Sequence, residues 1–76
     1  MIWRITGECR VKGALGLADT FKMYVEAPTD ETAKEKVRTL VNGKGYEHIH
    51  LSPALPVLPD AKFEMPLDKM LVFSHY

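Results

Sequence analysis

Hydrophobic and polar residues alternate one by one from Ile2 to Lys12. Trp3, Ile5, Cys9 and Val11 fall on one side with Gly7, and Arg4, Thr6, Glu8, Arg10 and Lys12 fall on the other. A period of two is that of a strand with one face against a core and one in water. The alternation resumes from Thr20 to Ala27, with Phe21, Met23, Val25 and Ala27 inward and Lys22, Tyr24 and Glu26 outward. Between the two runs, Gly13 to Asp19 breaks the pattern with two glycines, which permit the positive φ of a turn. The two strands are therefore read as an antiparallel hairpin.

The period then changes. Ala33, Val37, Leu40 and Val41 recur at the spacing of one helical face, and Lys34, Glu35, Lys36 and Arg38 occupy the others. Thr29 stands where an N-cap accepts from the free amides of a first turn. Asp30 and Glu31 follow where the helix dipole favours negative charge. The helix is expected to end near Asn42, with Gly43 as its left-handed cap and with Arg38 and Lys44 near the negative end of the dipole.

Tyr46 to Leu51 alternates again, predicting a third strand with Ile49 and Leu51 inward and Tyr46, His48 and His50 outward. Residues 52–60 carry Pro53, Pro56 and Pro59, whose missing amide donors exclude a helix interior and disfavour a central strand, so the stretch reads as an extended connector. Its three-residue period is also that of a polyproline II ligand, but the intervening Ala54, Leu55, Val57 and Leu58 suit packing on the domain's own surface. In the tail, Lys69 to His75 fits a fourth strand with Leu71 and Phe73 on one face; a short helix over Leu67 to Phe73 is the alternative.

The pattern predicts a small α+β domain over residues 1–76: an antiparallel strand–strand–helix–strand sheet, with a possible fourth C-terminal strand and the helix packed on one face. The apolar stripe of the helix would meet Trp3, Ile5, Cys9, Val11, Phe21, Met23, Val25, Ile49 and Leu51. The opposite face is left for water, the C-terminal segment or a partner.

Charge narrows the partners. Ten basic and ten acidic side chains cancel, which argues against both a polybasic nucleic-acid tail and an acidic DNA mimic. The single cysteine, Cys9, has no internal partner for a disulfide, and no signal-like or membrane-spanning apolar run is present, so a cytoplasmic protein with no membrane contact is expected.

Candidate chemistry is sparse. His48 and His50 form His-x-His, a spacing that puts two imidazoles on one side of a strand. A structural metal needs four ligands, Cys9 points the other way and only His75 remains to join them, so no metal is assigned. Cys9 on the inward face is a core thiol rather than a nucleophile. Ser52 and Ser74 lack a nucleophile elbow, and the glycines lack the order of a phosphate or dinucleotide loop. No cofactor and no enzymatic activity follow.

The strongest constellation is the outward sheet face: Arg4, Arg10, Lys12, Lys22, Tyr24, Tyr46, His48 and His50, with Glu8 and Glu26 among them. Arginine and tyrosine are enriched where proteins meet proteins, and a basic, aromatic sheet also suits single-stranded nucleic acid. The helix side carrying Lys34, Lys36 and Arg38 is a second candidate.

The order Trp3 to Lys12, Phe21 to Val25, Ala27 to Ala33 opening a helix, and a glycine turn into Tyr46 to Leu51 resembles very small phage-encoded inhibitors of host machinery. That strand–strand–helix–strand class includes some anti-CRISPR proteins and a phage inhibitor of bacterial RNA polymerase. The resemblance covers residues 2 to 51. It implies a non-enzymatic module in the host cytoplasm that occludes a host protein or nucleoprotein complex, and it assigns no individual residue. Nucleic-acid binding by the same face is the alternative, and an unpaired sheet edge leaves self-association open.

Overall fold

In a computed structural model, residues 1–13, 18–58 and 66–73 are described, and all structural statements concern these. The hairpin loop at 14–17, Pro59 and the histidine at 75 fall outside them. The elements are β1 (Ile2–Val11), β2 (Asp19–Glu26), α1 (Asp30–Gly43), β3 (Tyr46–Leu51), β4 (Leu55–Val57) and β5 (Met70–Phe73). They form one antiparallel sheet in the order β3-β1-β2-β5, with β4 also on β1. The α+β architecture is the expected one, with the tail forming a strand rather than a helix.

β1 and β2 pair along their length, from Ile2 opposite Glu26 to Cys9 opposite Asp19. Direct opposition keeps like parities together, so Ile5, Cys9, Phe21, Met23 and Val25 share the face that α1 covers with Ala33, Val37 and Val41. Trp3 closes the end of this core, its indole N–H donating to the Ala27 carbonyl at 3.0 Å. Val11 has the inward parity but lies past the helix, 48% exposed, and is not part of the core as expected.

Gly7 is the one inward position of β1 without a side chain, and the packing requires it. A Cβ there would sit 2.5 Å from the His50 carbonyl oxygen and 3.0 Å from the ring of Phe21, its cross-strand partner. The Phe21 ring fills the space a side chain at position 7 would take.

Helix α1 starts as the sequence indicates. The Thr29 hydroxyl accepts from the Thr32 amide at 3.2 Å and the Thr32 hydroxyl accepts from the Thr29 amide at 3.1 Å, a reciprocal box built with threonine at its third position. The C-terminal end differs from expectation. The helix runs through Gly43 to a cap at Lys44 with φ −87°, and Gly45, not Gly43, holds the positive φ of 95°. Arg38 does not serve the dipole either: its Nη1 donates to the Ile49 carbonyl at 3.1 Å and ties the helix to β3.

The edge formed by β3 and β4 holds the largest departure. Leu51 opposes Gly7 and His50 opposes Glu8, but Glu47 opposes Arg10, so β3 carries one extra residue between them. His48 sits at this bulge with φ 53°, in the left-handed region that histidine tolerates better than most side chains. The register slips once more before β4, where Leu55 opposes Arg4 and Val57 opposes Ile2. Ser52 bridges the gap, its amide donating to the Thr6 carbonyl at 2.9 Å. The connector is thus extended as expected, but as an edge strand on β1. Pro56 is compatible with that because an edge residue need not donate on both sides.

Candidate outward sheet face

The face opposite α1 is built by cross-strand rows. One row runs His50, Glu8, Thr20, Phe73; the next brings Lys22 beside Leu71 and Thr6; a third sets Arg4 between Leu55 and Tyr24. Of the residues expected there, Arg4, Arg10, Lys22 and His50 take the predicted side. Arg4, Arg10 and His50 are exposed, and Lys22 is half-buried. Lys12 lies just past the end of β1 in the turn, where its amide donates to the Gly45 carbonyl at 2.9 Å.

Two of the expected aromatics are not available on this face. Tyr46 opposes Val11 and packs against the core, because the bulge at His48 reverses the parity of everything before it in β3. Glu47 takes the outward position instead, and its carboxylate accepts from the Gly13 amide at 3.1 Å. Tyr24 keeps the outward parity opposite Arg4 but is only 8% exposed. The turn before β5 closes on its strand there, the Asp68 amide donating to the Tyr24 carbonyl at 2.8 Å.

The apolar residues that the face does present come from the edges. Leu71 and Phe73 are 41% and 50% exposed on β5, and Leu55 is exposed on β4. Phe73 and Lys22 border a shallow depression of about 380 Å³ whose other walls include Thr6, Glu8, Thr20 and His50, with Gly7 in its lining.

Acidic residues are interleaved with the cations of this face: Glu8, Glu26 and Glu47 share it with Arg4, Arg10 and Lys22. None of these cations makes an ion pair with another described residue; the pair within 4.0 Å is Lys36 with Asp68, at 3.4 Å. Two of the three residues of the second candidate surface, Lys36 and Arg38, are committed to contacts within the molecule. Lys36 also donates to the Glu26 carbonyl at 3.2 Å, so Lys36 and Arg38 fasten α1 to the sheet.

His48 and His50 border a common hollow with Glu8 and Arg10. The Arg10 guanidinium there opposes a bound cation, and among the described residues no group of three potential ligands converges. Burial, reinforced by the negative charge of Asp19, pushes the Cys9 thiol up, so it stays protonated and unreactive at neutral pH. Among the described residues no helix is long and apolar enough to cross a membrane. No family model, curated protein or solved structure matches the chain.

Proposed function

We propose that this chain is a non-enzymatic protein-binding module that acts by occupying a surface its partner needs, using the outward sheet face. The observation that carries the reading is the pairing, on one sheet face, of cations that make no ion pair among the described residues with exposed apolar side chains: Lys22 lies beside Leu71 and borders a depression with Phe73, and Arg4 and Arg10 stand on the next strand. Protein interfaces combine an apolar centre with arginine and a polar rim in this manner. Occlusion as the mode of action comes from the resemblance of residues 2–51 to phage-encoded inhibitors of host machinery.

A protein partner is favoured over single-stranded nucleic acid by two features. Stacking platforms need several exposed aromatics in series, and with Tyr24 buried and Tyr46 facing the core, Phe73 is the one exposed aromatic of this face among the described residues. A polyanion also needs a surplus of cations, whereas Glu8, Glu26 and Glu47 offset Arg4, Arg10 and Lys22 on this face.

The test is capture from a lysate of the source cells by the immobilised chain and by an Arg4→Glu/Arg10→Glu variant, with bound proteins identified by mass spectrometry. A specific protein held by the parent and weakened at least tenfold by the variant, about 1.4 kcal/mol, is the expected result. Undiminished capture by the variant removes this face from the reading. Retention of nucleic acid whose affinity falls steeply with salt replaces the protein partner with the alternative.

A further inference from the structure

β5 is the outermost strand on the β2 side, and no described residue pairs with its far edge. All four of its residues are apolar: Met70 and Val72 lie half-buried at the open end of the core, and Leu71 and Phe73 stand exposed on the other face. Helix α1 makes its main contacts with β1, β2 and β3, so the helix does not cover this end of the sheet. A body resting on one face would cover one pair of side chains. A strand laid along the edge covers both pairs and also takes up the outward-pointing backbone donors and acceptors.

The occupant must therefore be an extended segment with apolar side chains on both faces and no charge. This chain itself carries such a segment, β5. We infer that β5 pairs antiparallel with β5 of a second copy, about a two-fold axis through Val72, and so continues the sheet from one molecule into the next.

Symmetry fixes the register. A two-fold axis perpendicular to the sheet keeps each side chain on its own face, so directly opposed residues share parity. Centring on Val72 sets Val72 against itself and Leu71 against Phe73 of the second copy, an aliphatic–aromatic cross-strand pair on each side of the axis. Centring on Leu71 would set the charged Lys69 against Phe73. Electrostatics does not oppose the pairing. The chain has no net charge, and the Lys22 residues of the two copies would be three strand spacings apart, roughly 14 Å. That exceeds the screening length of about 8 Å at physiological salt. Asp68, beside the strand, is engaged by Lys36.

The experiment is light scattering on the full chain after size-exclusion chromatography, with charge variants at the two exposed positions of β5, which leave the core intact, and a cysteine at the half-buried Val72. The parent is expected to be a dimer. Leu71→Lys/Phe73→Lys, which opposes lysine to lysine twice, should be a monomer with an unchanged circular dichroism spectrum, and Leu71→Lys/Phe73→Glu, which opposes lysine to glutamate, should associate again. Oxidation should cross-link Val72→Cys and not the parent, since directly opposed Cα atoms lie about 4.5–5.5 Å apart, within disulfide reach. A parent that stays monomeric overturns the inference, as does a dimer that survives the double-lysine change, a failure of the lysine–glutamate variant to associate, or a monomer that instead takes up an added unrelated extended peptide. Leu71 and Phe73 also belong to the proposed partner face, but the oligomeric state and the cross-link of Val72→Cys are read on the purified chain with no partner present, so their failure is distinguishable from failure of the capture experiment, which turns on Arg4 and Arg10.

Discussion

The two edges of this sheet are built in opposite ways. On the β3–β4 side the backbone is irregular: a bulge at His48 with φ 53°, a second slip before Leu55, and prolines at 53 and 56. On the β5 side four apolar residues run without proline, bulge or charge. Each irregularity on the first edge is a known obstacle to a further strand, and the described residues of β5 carry none. The contrast teaches that edge protection here lies in local backbone geometry rather than in charge, and that it is spent on one side only. Gly7 and Phe21 connect the two sides, because Phe21 opposes Gly7 toward β3 and Val72 toward β5.

The sharpest way to break the contrast is therefore at Phe21, on which both edges depend. Phe21→Ala is expected to cost about 3–5 kcal/mol in denaturant unfolding, from lost burial and the cavity left between strands. Gly7→Ala strikes only the protected side: its methyl meets the His50 carbonyl and the Phe21 ring, and a loss of about 1–3 kcal/mol is expected. At the bulge, His48→Val should destabilise by about 1–2 kcal/mol, as a β-branched residue resists the left-handed region. His48→Gly should be tolerated or slightly stabilising, and that reversal of order in thermal melts distinguishes backbone strain from a lost imidazole contact. The smallest effect belongs to the open side. Leu71→Lys should alter the unfolding free energy of the isolated molecule by no more than about 0.5 kcal/mol, the range of exposed substitutions.

The sequence was informative wherever period and parity decide the outcome. Alternation in β1 and β2 placed Ile5, Cys9, Phe21, Met23 and Val25 in the core and Arg4, Arg10 and Lys22 outward, and the cap at Thr29 followed from its side chain. It failed where one residue changes the count. Nothing in Tyr-Glu-His-Ile-His marks a bulge, since the left-handed position is held by histidine rather than glycine, and Tyr46 was assigned to the wrong face as a result. For Tyr24 the parity was right, but parity states which face a side chain leaves from and not whether chain lies over it. Asn42-Gly43-Lys44-Gly45 offers two glycines to end the helix, and only the backbone shows that the second takes the positive φ. In β4 the prolines masked a strand because their restriction bars a central position and not an edge.

Cys9 lies at 0% exposure in the central strand, opposite Asp19, and is the only thiol in the chain. The molecule thereby contains its own clock for opening. A thiol reagent added to the native protein reacts only through openings that separate β1 from its neighbours, so at reagent concentrations where reclosing outpaces labelling the rate reads the population of opened molecules. The same thiol gives that population a pH dependence of known sign. Its proton is held more tightly in the folded state, so stability is at its full value below the ordinary thiol range and declines as pH climbs towards the raised native value. Cys9→Ala should flatten that decline, and labelling of the parent should accelerate through it by more than the increase in thiolate alone.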